Sequence, residues 1–413
     1  MPYMNNGGGI PATPTDSPTG LQKKGAPSDV QMLPFARASK LHIEQSNSQV
    51  VTPSTAQQIF NFPLASYGYL SAILVTVSAT GGTGTAAVYY EDAPWSALAQ
   101  VQLSDVNGVP LNQLSGYNQY LAAKYGGYRL YPPDGYGTST SPFGASVTTN
   151  NDISTANAFV YSTPTNGNYK FILPIFLEFG LDGLGCLPNM DASARYNLQL
   201  TVAAVNTINA TTGPVYTTTP TALPTSITIT VEILARSQPP AQDMFGNMNS
   251  TSPPAVGTVQ YWTNQTASGL ANGSNTIQLS RVGNLIRNHI FVFRNTNGTR
   301  VTSETADVPV LFEFDWDSGQ RYVANTATLR YIFGYGVYGY DVPNGVIVLP
   351  NTLDPDWIPL SEYGDQWLGT VGATKFTLRF TTTTGSGSLA ILCNDIVPAS
   401  GQVYSAPHLV MGN

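Results

Sequence analysis

Residues 226–233 read SITITVEI, with Ile227, Ile229, Val231 and Ile233 alternating against Ser226, Thr228, Thr230 and Glu232. Alternation with period two puts one set of side chains on a core and the other toward water or a neighbour, which the 3.6-residue period of a helix cannot do. The pattern recurs in RYNLQLTV (195–202) and KFTLRFT (375–381). Other runs are apolar on both faces and predict inner strands: AILVTV (72–77), KFILPIFLEF (170–179), HIFVF (289–293) and GVIVL (345–349). Clusters such as GGTGT, PPDGYG, TNGN, NTNGT and VPNG separate them, as turns between antiparallel strands require. Helical periodicity is confined to LNQLSGYNQYLAAKYG (111–126) and RYVANTATLRYIFG (321–334).

The order of these elements repeats. The first half runs through strands at 72–77 and 97–103, an Asp-Asn-Gly turn, a helix at 111–125, a long loop, and strands at 170–179, 195–203 and 226–234. The second runs through strands at 289–293 and 308–316, an Asp-rich turn with Gly319, a helix at 321–333, a shorter loop, and strands at 345–349, 375–381 and 388–393. The offset falls from 217 residues (72 to 289) to 162 (226 to 388), because loops 127–168 and 204–225 are longer than their counterparts. Unequal loops on a shared plan mark two copies of one domain. With strands near 41–45, 58–63, 257–263 and 275–280, each copy has about eight. Long connections between antiparallel strands favour a two-sheet jelly roll over an up-and-down barrel.

The expected fold is therefore all-β: two tandem eight-stranded jelly rolls, a short helix in each, preceded by an extended arm. A chain of 413 residues exceeds what one core usually supports. The expected division is a Gly/Pro-rich arm at 1–39, a first jelly roll at 40–240, a linker at 241–256, a second jelly roll at 257–400 and a tail at 401–413.

Charge narrows the function. Only 10% of residues are charged, against roughly 25% in typical soluble proteins. The surface must then be Ser, Thr, Asn, Gln, Tyr and Gly, which suits contact between copies, since burying an amide costs less than burying an ion. A net charge of -7 argues against a nucleic-acid binder, which needs a basic stripe. The amino-terminal residues lack the pattern of a secretory signal, and no uninterrupted apolar run reaches the ~18 residues of a membrane span. Cys186 and Cys393 sit apart in apolar company and read as buried free thiols.

The sharpest chemical candidate is VPVLFEFDWDSGQRY (308–322). Val308, Val310, Phe312, Phe314 and Trp316 share one strand face; Glu313, Asp315 and Asp317 share the other. Same-face neighbours lie about 6.7 Å apart, close to the ~6.5–9.5 Å carboxyl spacing of inverting glycosidases. A glycosidase also needs an aromatic platform beside its acids, and Trp316 points away. Asp315, Asp317 and Gly319 resemble the start of a calcium loop but lack its later bidentate Glu. Comparable Asp/Asn/Gly turns precede both helices (104–110 and 315–321), so these groups are expected to close turns and satisfy N–H groups at helix starts. His42, His289 and His408 have no ligand spacing, and GGTGT (81–85) lacks the Lys and following helix of a phosphate loop. No catalytic, cofactor or metal residue is assigned.

IFNFPLASYGYLSAILVTVSA, YNQYLAAKYGG, KFILPIFLEFGLDGLGCLP and ARYNLQLTV, together with the element order over roughly 40–400, resemble the double jelly-roll major capsid proteins of tailless, internal-membrane (tectivirus-like) bacteriophages. Members often begin with an amphipathic helix, where this arm is rich in Gly and Pro. The resemblance implies a non-enzymatic protein of the virion shell, made in the host cytoplasm. It implies homotrimers of pseudo-hexameric outline, contacting neighbouring trimers, penton and minor capsid proteins and, through the arm, an underlying viral membrane, without direct sequence-specific nucleic-acid contact. Two other readings fit the composition: a secreted or virion-surface carbohydrate-binding or glycoside-cleaving β-protein, and a trimeric phage spike.

Overall fold

The alternating runs form strands where their periodicity predicts them. A computed structural model describes residues 32–84, 88–128, 160–204, 215–301, 308–316, 320–329, 342–351, 367–370, 372–383 and 387–398. The first half contains β1 (Leu41–Val51), β2 (Gln58–Pro63), β3 (Tyr69–Thr80), β4 (Val88–Tyr89), β5 (Leu98–Ser104), β6 (Pro110–Leu114), β7 (Val160–Thr165), β8 (Asn168–Phe176), β9 (Leu187–Pro188), β10 (Asn197–Val202), β11 (Tyr216–Thr218) and β12 (Ser226–Arg236). The second contains β13 (Val259–Ser268), β14 (Gly273–Gln278), β15 (Leu285–Arg294), β16 (Leu311–Trp316), β17 (Gln320–Asn325), β18 (Val346–Pro350), β19 (Leu368–Gly369), β20 (Phe376–Thr382) and β21 (Ser388–Val397). Helical segments are α1 (Phe35–Ala38), α2 (Gly116–Tyr125) and α3 (Thr326–Thr328).

Both halves have one topology. In the first, β1-β12-β3-β8 faces β2-β10-β5-β6; in the second, β13-β21-β15-β18 faces β14-β20-β16-β17. Setting aside the edge strand β7 and the two- and three-residue strands β4, β9, β11 and β19, each half has eight strands in the order 1-8-3-6 facing 2-7-4-5. That is a jelly roll, made twice. A parallel contact between β6 and β13, at Asn112 and Trp262, joins one sheet of each half into a single nine-stranded sheet.

This junction explains the runs that are apolar on both faces. In the second half, Phe291, Phe293, Ile347, Leu349, Leu389 and Ile391 point into its own core. The alternate residues Ile290, Val292, Val346, Val348, Ala390 and Leu392 belong to the first half's cluster. The sheet is thus covered on both sides, with α2 between the halves, packed against β8, β5 and β15. Ser115 caps α2 by accepting from Asn118 N at 3.2 Å. Trp95 stacks on Tyr120 of α2 with ring centroids 3.7 Å apart.

Three expectations need correction. The predicted helices 111–125 and 321–333 each begin as strands: Pro110–Leu114 pairs with β5, and Gln320–Asn325 pairs with β16. Only then does helix start, at Gly116 and at Thr326; residues 330–341 lie outside the described residues. These two segments are the eighth strands that the expected lists lacked. Consequently the Asp-rich turns close hairpins, not helix starts. Asp105 Oδ1 accepts from Asn107 N at 2.9 Å and Val109 N at 2.7 Å, which holds the β5–β6 turn. Third, Val310 is 73% exposed, since it precedes β16 instead of sharing its core face.

The loops also carry some order. The end of loop 127–168 forms β7, and β11 within 204–225 pairs with β4. The stretch expected to be a turn, GGTGT, is extended as far as it is described: Gly81 and Gly84 have positive φ, and Thr83 between them makes an antiparallel bridge to Ala222. Of the arm, residues 32–39 are described, with Phe35 fully buried and Met32, Pro34 and Arg37 exposed; residues 1–31 and the tail 401–413 lie outside the described residues.

Candidate functional site

The acidic strand is the solvent face of a sheet. Phe312 and Phe314 project into the second core, where Phe312 stacks on Phe291 at 5.5 Å. Glu313 and Asp315 project outward, in register with Arg379 and Thr377 of β20. Asp315 Oδ2 accepts from Arg379 Nε at 3.1 Å, with the Arg379 side chain half exposed. An ion pair on an open sheet face is not the carboxyl in an apolar pocket that acid catalysis uses. Asp317 and Gly319 lie outside the described residues.

The histidines are not brought together. His42 is exposed on β1, 4.7 Å from the Tyr67 ring and 3.8 Å from Glu44. His289 is buried among Phe291, Phe314 and Phe376, and burial pushes its imidazole down to about 4. His408 lies outside the described residues. Cys186 and Cys393 are both free and buried, with burial raising both thiols. Among the described residues no group of three or more His, Cys, Asp or Glu is placed to hold a metal ion.

The most elaborate chemistry lies at the seam between the halves. Asp92, in the turn between β4 and β5, receives two guanidinium groups from the second half: Arg300 Nε donates to Oδ1 at 2.9 Å, and Arg294 Nη2 reaches Oδ2 at 2.8 Å. Burial alone would raise the Asp92 carboxyl, but Arg294 and Arg300 together outweigh it and hold the group below the usual carboxylate range. The Arg300 guanidinium also lies 5.5 Å from the centre of the Tyr117 ring on α2 and donates to Asn344 O at 2.5 Å.

Arg287 forms a second tie. Its guanidinium lies 5.1 Å from the Phe179 ring, 5.5 Å from Tyr128 and 6.0 Å from Trp367, and donates to Asn394 Oδ1 at 2.9 Å. Gln260 Nε2 donates to Phe176 O at 2.6 Å and Leu177 O at 3.0 Å, while Tyr128 OH donates to Gln260 Oε1 at 3.0 Å. Trp262 Nε1 donates in turn to Tyr128 OH at 2.6 Å. Apolar contacts alone tolerate sliding; hydrogen bonds with fixed partners do not. The seam therefore sets the angle between the jelly rolls. Sequence reasoning missed these residues, although Arg287 inside the apolar run LIRNHIFVF was a visible signal, because a charge in a doubly covered strand needs partners.

A third feature holds the amino-terminal segment. Asp182, at φ 58°, accepts from Phe35 N at 3.1 Å and Ala36 N at 2.5 Å. Phe35 packs edge-on against Tyr69 with centroids 5.2 Å apart, and a Cβ on Gly183, at φ +86°, would lie 2.9 Å from its ring. Leu33 N donates to Met248 O at 2.8 Å, and Ser250 N to Leu33 O at 2.9 Å, so the segment is stitched to the linker between the halves.

No protein-family model and no curated protein sequence matches the chain. Solved structures do. The chain is similar to the STIV MCP, with a TM-score of 0.55 and 13% identity over 89% of this chain and 99% of that one. It is similar to a chain from the atomic structure of Sulfolobus Turreted Icosahedral Virus, with a TM-score of 0.56 and 13% identity over 88% and 92%. It is likewise similar to a chain of the PBCV-1 virus capsid, with a TM-score of 0.55 and 13% identity over 87% and 94%. At this identity the likeness establishes the fold: the chain is a double jelly roll, matched over 87–89% of its length.

Proposed function

We propose that the chain is the major capsid protein of a tailless icosahedral virus and acts by self-assembly. The observation that carries this reading is the rigid pairing of two jelly rolls of identical strand order in a chain with so few charges. The likeness to chains from virus capsids supports it. We divide the chain into arm 1–39, first jelly roll 40–240, linker 241–256, second jelly roll 257–400 and tail 401–413, a division supported by the strand-free stretch between β12 and β13.

Three such chains around a threefold axis bring six similar sandwiches into a ring. The block then has nearly sixfold outline and tiles a hexagonal sheet from three subunits. In this reading the partners are two further copies, neighbouring trimers, penton and minor capsid proteins at the vertices and, beneath the shell, a viral membrane met by the arm. No nucleic-acid sequence is read and no reaction is catalysed. The glycoside-cleaving alternative draws no support from Asp315, whose carboxylate is engaged by Arg379.

The test is the mass of the purified chain in solution together with particle imaging. A trimer that assembles into closed or sheet-like arrays is expected; a persistent monomer at high concentration overturns the proposal.

A further inference from the structure

The outer face of β2, β10, β5 and β6 carries uncharged polar side chains in register. Asn61 stands opposite Gln199, Gln199 opposite Gln102, and Gln102 opposite Gln113, so four carboxamides cross four adjacent strands in one row. The intervening residues Phe62, Leu198, Leu200, Val101 and Leu103 are buried in the first core, which fixes the row on the outside. Gln199 Nε2 donates to Asn61 Oδ1 at 3.1 Å, and Gln102 Nε2 to Ser104 Oγ at 3.2 Å. The flanking positions Gln100 and Asn197 are uncharged as well. The outer face of the opposite sheet differs, since it carries Lys170, Glu232 and Arg236.

Topology sets this row at the foot of a step. Where β6 meets β13, Asn112 and Trp262 are paired and both buried, with Trp262 in the first core. Gln113 and Thr263 therefore share the other side, and Thr263 pairs with Cys393 of the second core. The second sandwich rises from the same side of the sheet that shows the amides.

We propose that this amide row is a contact face for a second copy of this chain, an inference that rests on the capsid reading and names one of its surfaces. Each carboxamide offers both donors and an acceptor, so a neutral polar surface of the same kind can satisfy it. A charged partner would lose hydration against these amides without gaining a counter-ion. A chain with 10% charged residues supplies a matching surface itself. No aromatic ring lies in the row to stack on a sugar.

Asn61 and Gln113, at the ends of the row, are exposed, so lysine is accommodated at both without disturbing the core. The Asn61→Lys/Gln113→Lys double variant is compared with wild type and with Asn61→Ser/Gln113→Ser by analytical ultracentrifugation, after thermal melts show that all three fold alike. Wild type and the serine variant are expected to associate equally, with little change between about 0.05 and 0.5 M salt. The lysine variant should associate at least tenfold more weakly, because two ammonium groups would lose hydration against a neutral surface that offers no counter-ion. If wild type assembles and the lysine variant matches it, this face is not a contact, and the capsid reading stands. If wild type never associates, both fall. Binding of monomeric wild type to a glycan array, lost in the lysine variant, would reassign the row to carbohydrate.

Discussion

Arg300 Nε lies 2.9 Å from Asp92 Oδ1, joining residues 208 positions apart across the seam of the two jelly rolls. The Arg300 side chain is fully buried, so no water replaces the carboxylate if it is lost. Breaking a buried ion pair on one side typically costs about 3–5 kcal/mol. Asp92→Ala should therefore lower unfolding free energy by about that amount in urea melts. An Asp92→Leu/Arg300→Met double variant should recover much of the loss, because it removes the fully buried charge and leaves only Arg294, whose side chain reaches solvent. Equal stabilities for Asp92→Ala and wild type would show that this ion pair does not hold the seam.

That pair also marks what could be read in advance. Alternation in SITITVEI and its relatives depends on neighbours along the chain, and those strands were visible. The strands β6 and β17 were not, because LNQL and RYVAN take their conformation from pairing with β5 and β16 and carry no alternation of their own. Asp92 and Arg300 gave no local sign at all, since nothing in either neighbourhood names the other. Arg287 did give one, as a charge inside an apolar strand, but its ring partners Phe179, Tyr128 and Trp367 come from three separate segments.

Alternation on β16 predicts opposite outcomes at neighbouring positions. Phe312 is fully buried in the second core, and Phe312→Ala should cost about 3–5 kcal/mol. Asp315 pairs with a half-exposed Arg379, so Asp315→Ala should change stability by less than about 1 kcal/mol. Chemical denaturation of both variants is the measurement. A large loss at Asp315 would mean that the acidic face is covered.

The amino-terminal segment should detach as a unit. Phe35→Ala removes the ring that fills the space beside Gly183 and Tyr69, and Asp182→Ala removes the acceptor for Phe35 N and Ala36 N. Each should speed tryptic cleavage after Arg37 and Lys40 several-fold while leaving the global melt nearly unchanged, since few core residues are involved. Unchanged cleavage would place the hold on this segment in its bonds to Met248 and Ser250.

His289 predicts a specific acid weakness. Burial pushes its imidazole from 6.5 down to about 4, so the folded chain keeps it neutral where the unfolded chain already binds a proton. Unfolding then takes up a proton between about pH 6.5 and 4, and stability falls as pH drops through that window, by about 3 kcal/mol near pH 4. Carboxylates such as Asp92, held below their usual range, titrate lower still and weaken the fold further toward acid. His289→Leu keeps an apolar side chain among Phe291, Phe314 and Phe376 and should flatten the slope between pH 6.5 and 4 without altering the steeper loss below it. Denaturant melts at half-unit pH steps would show this directly, and parallel curves for the two proteins would mean that His289 takes up its proton in the folded state.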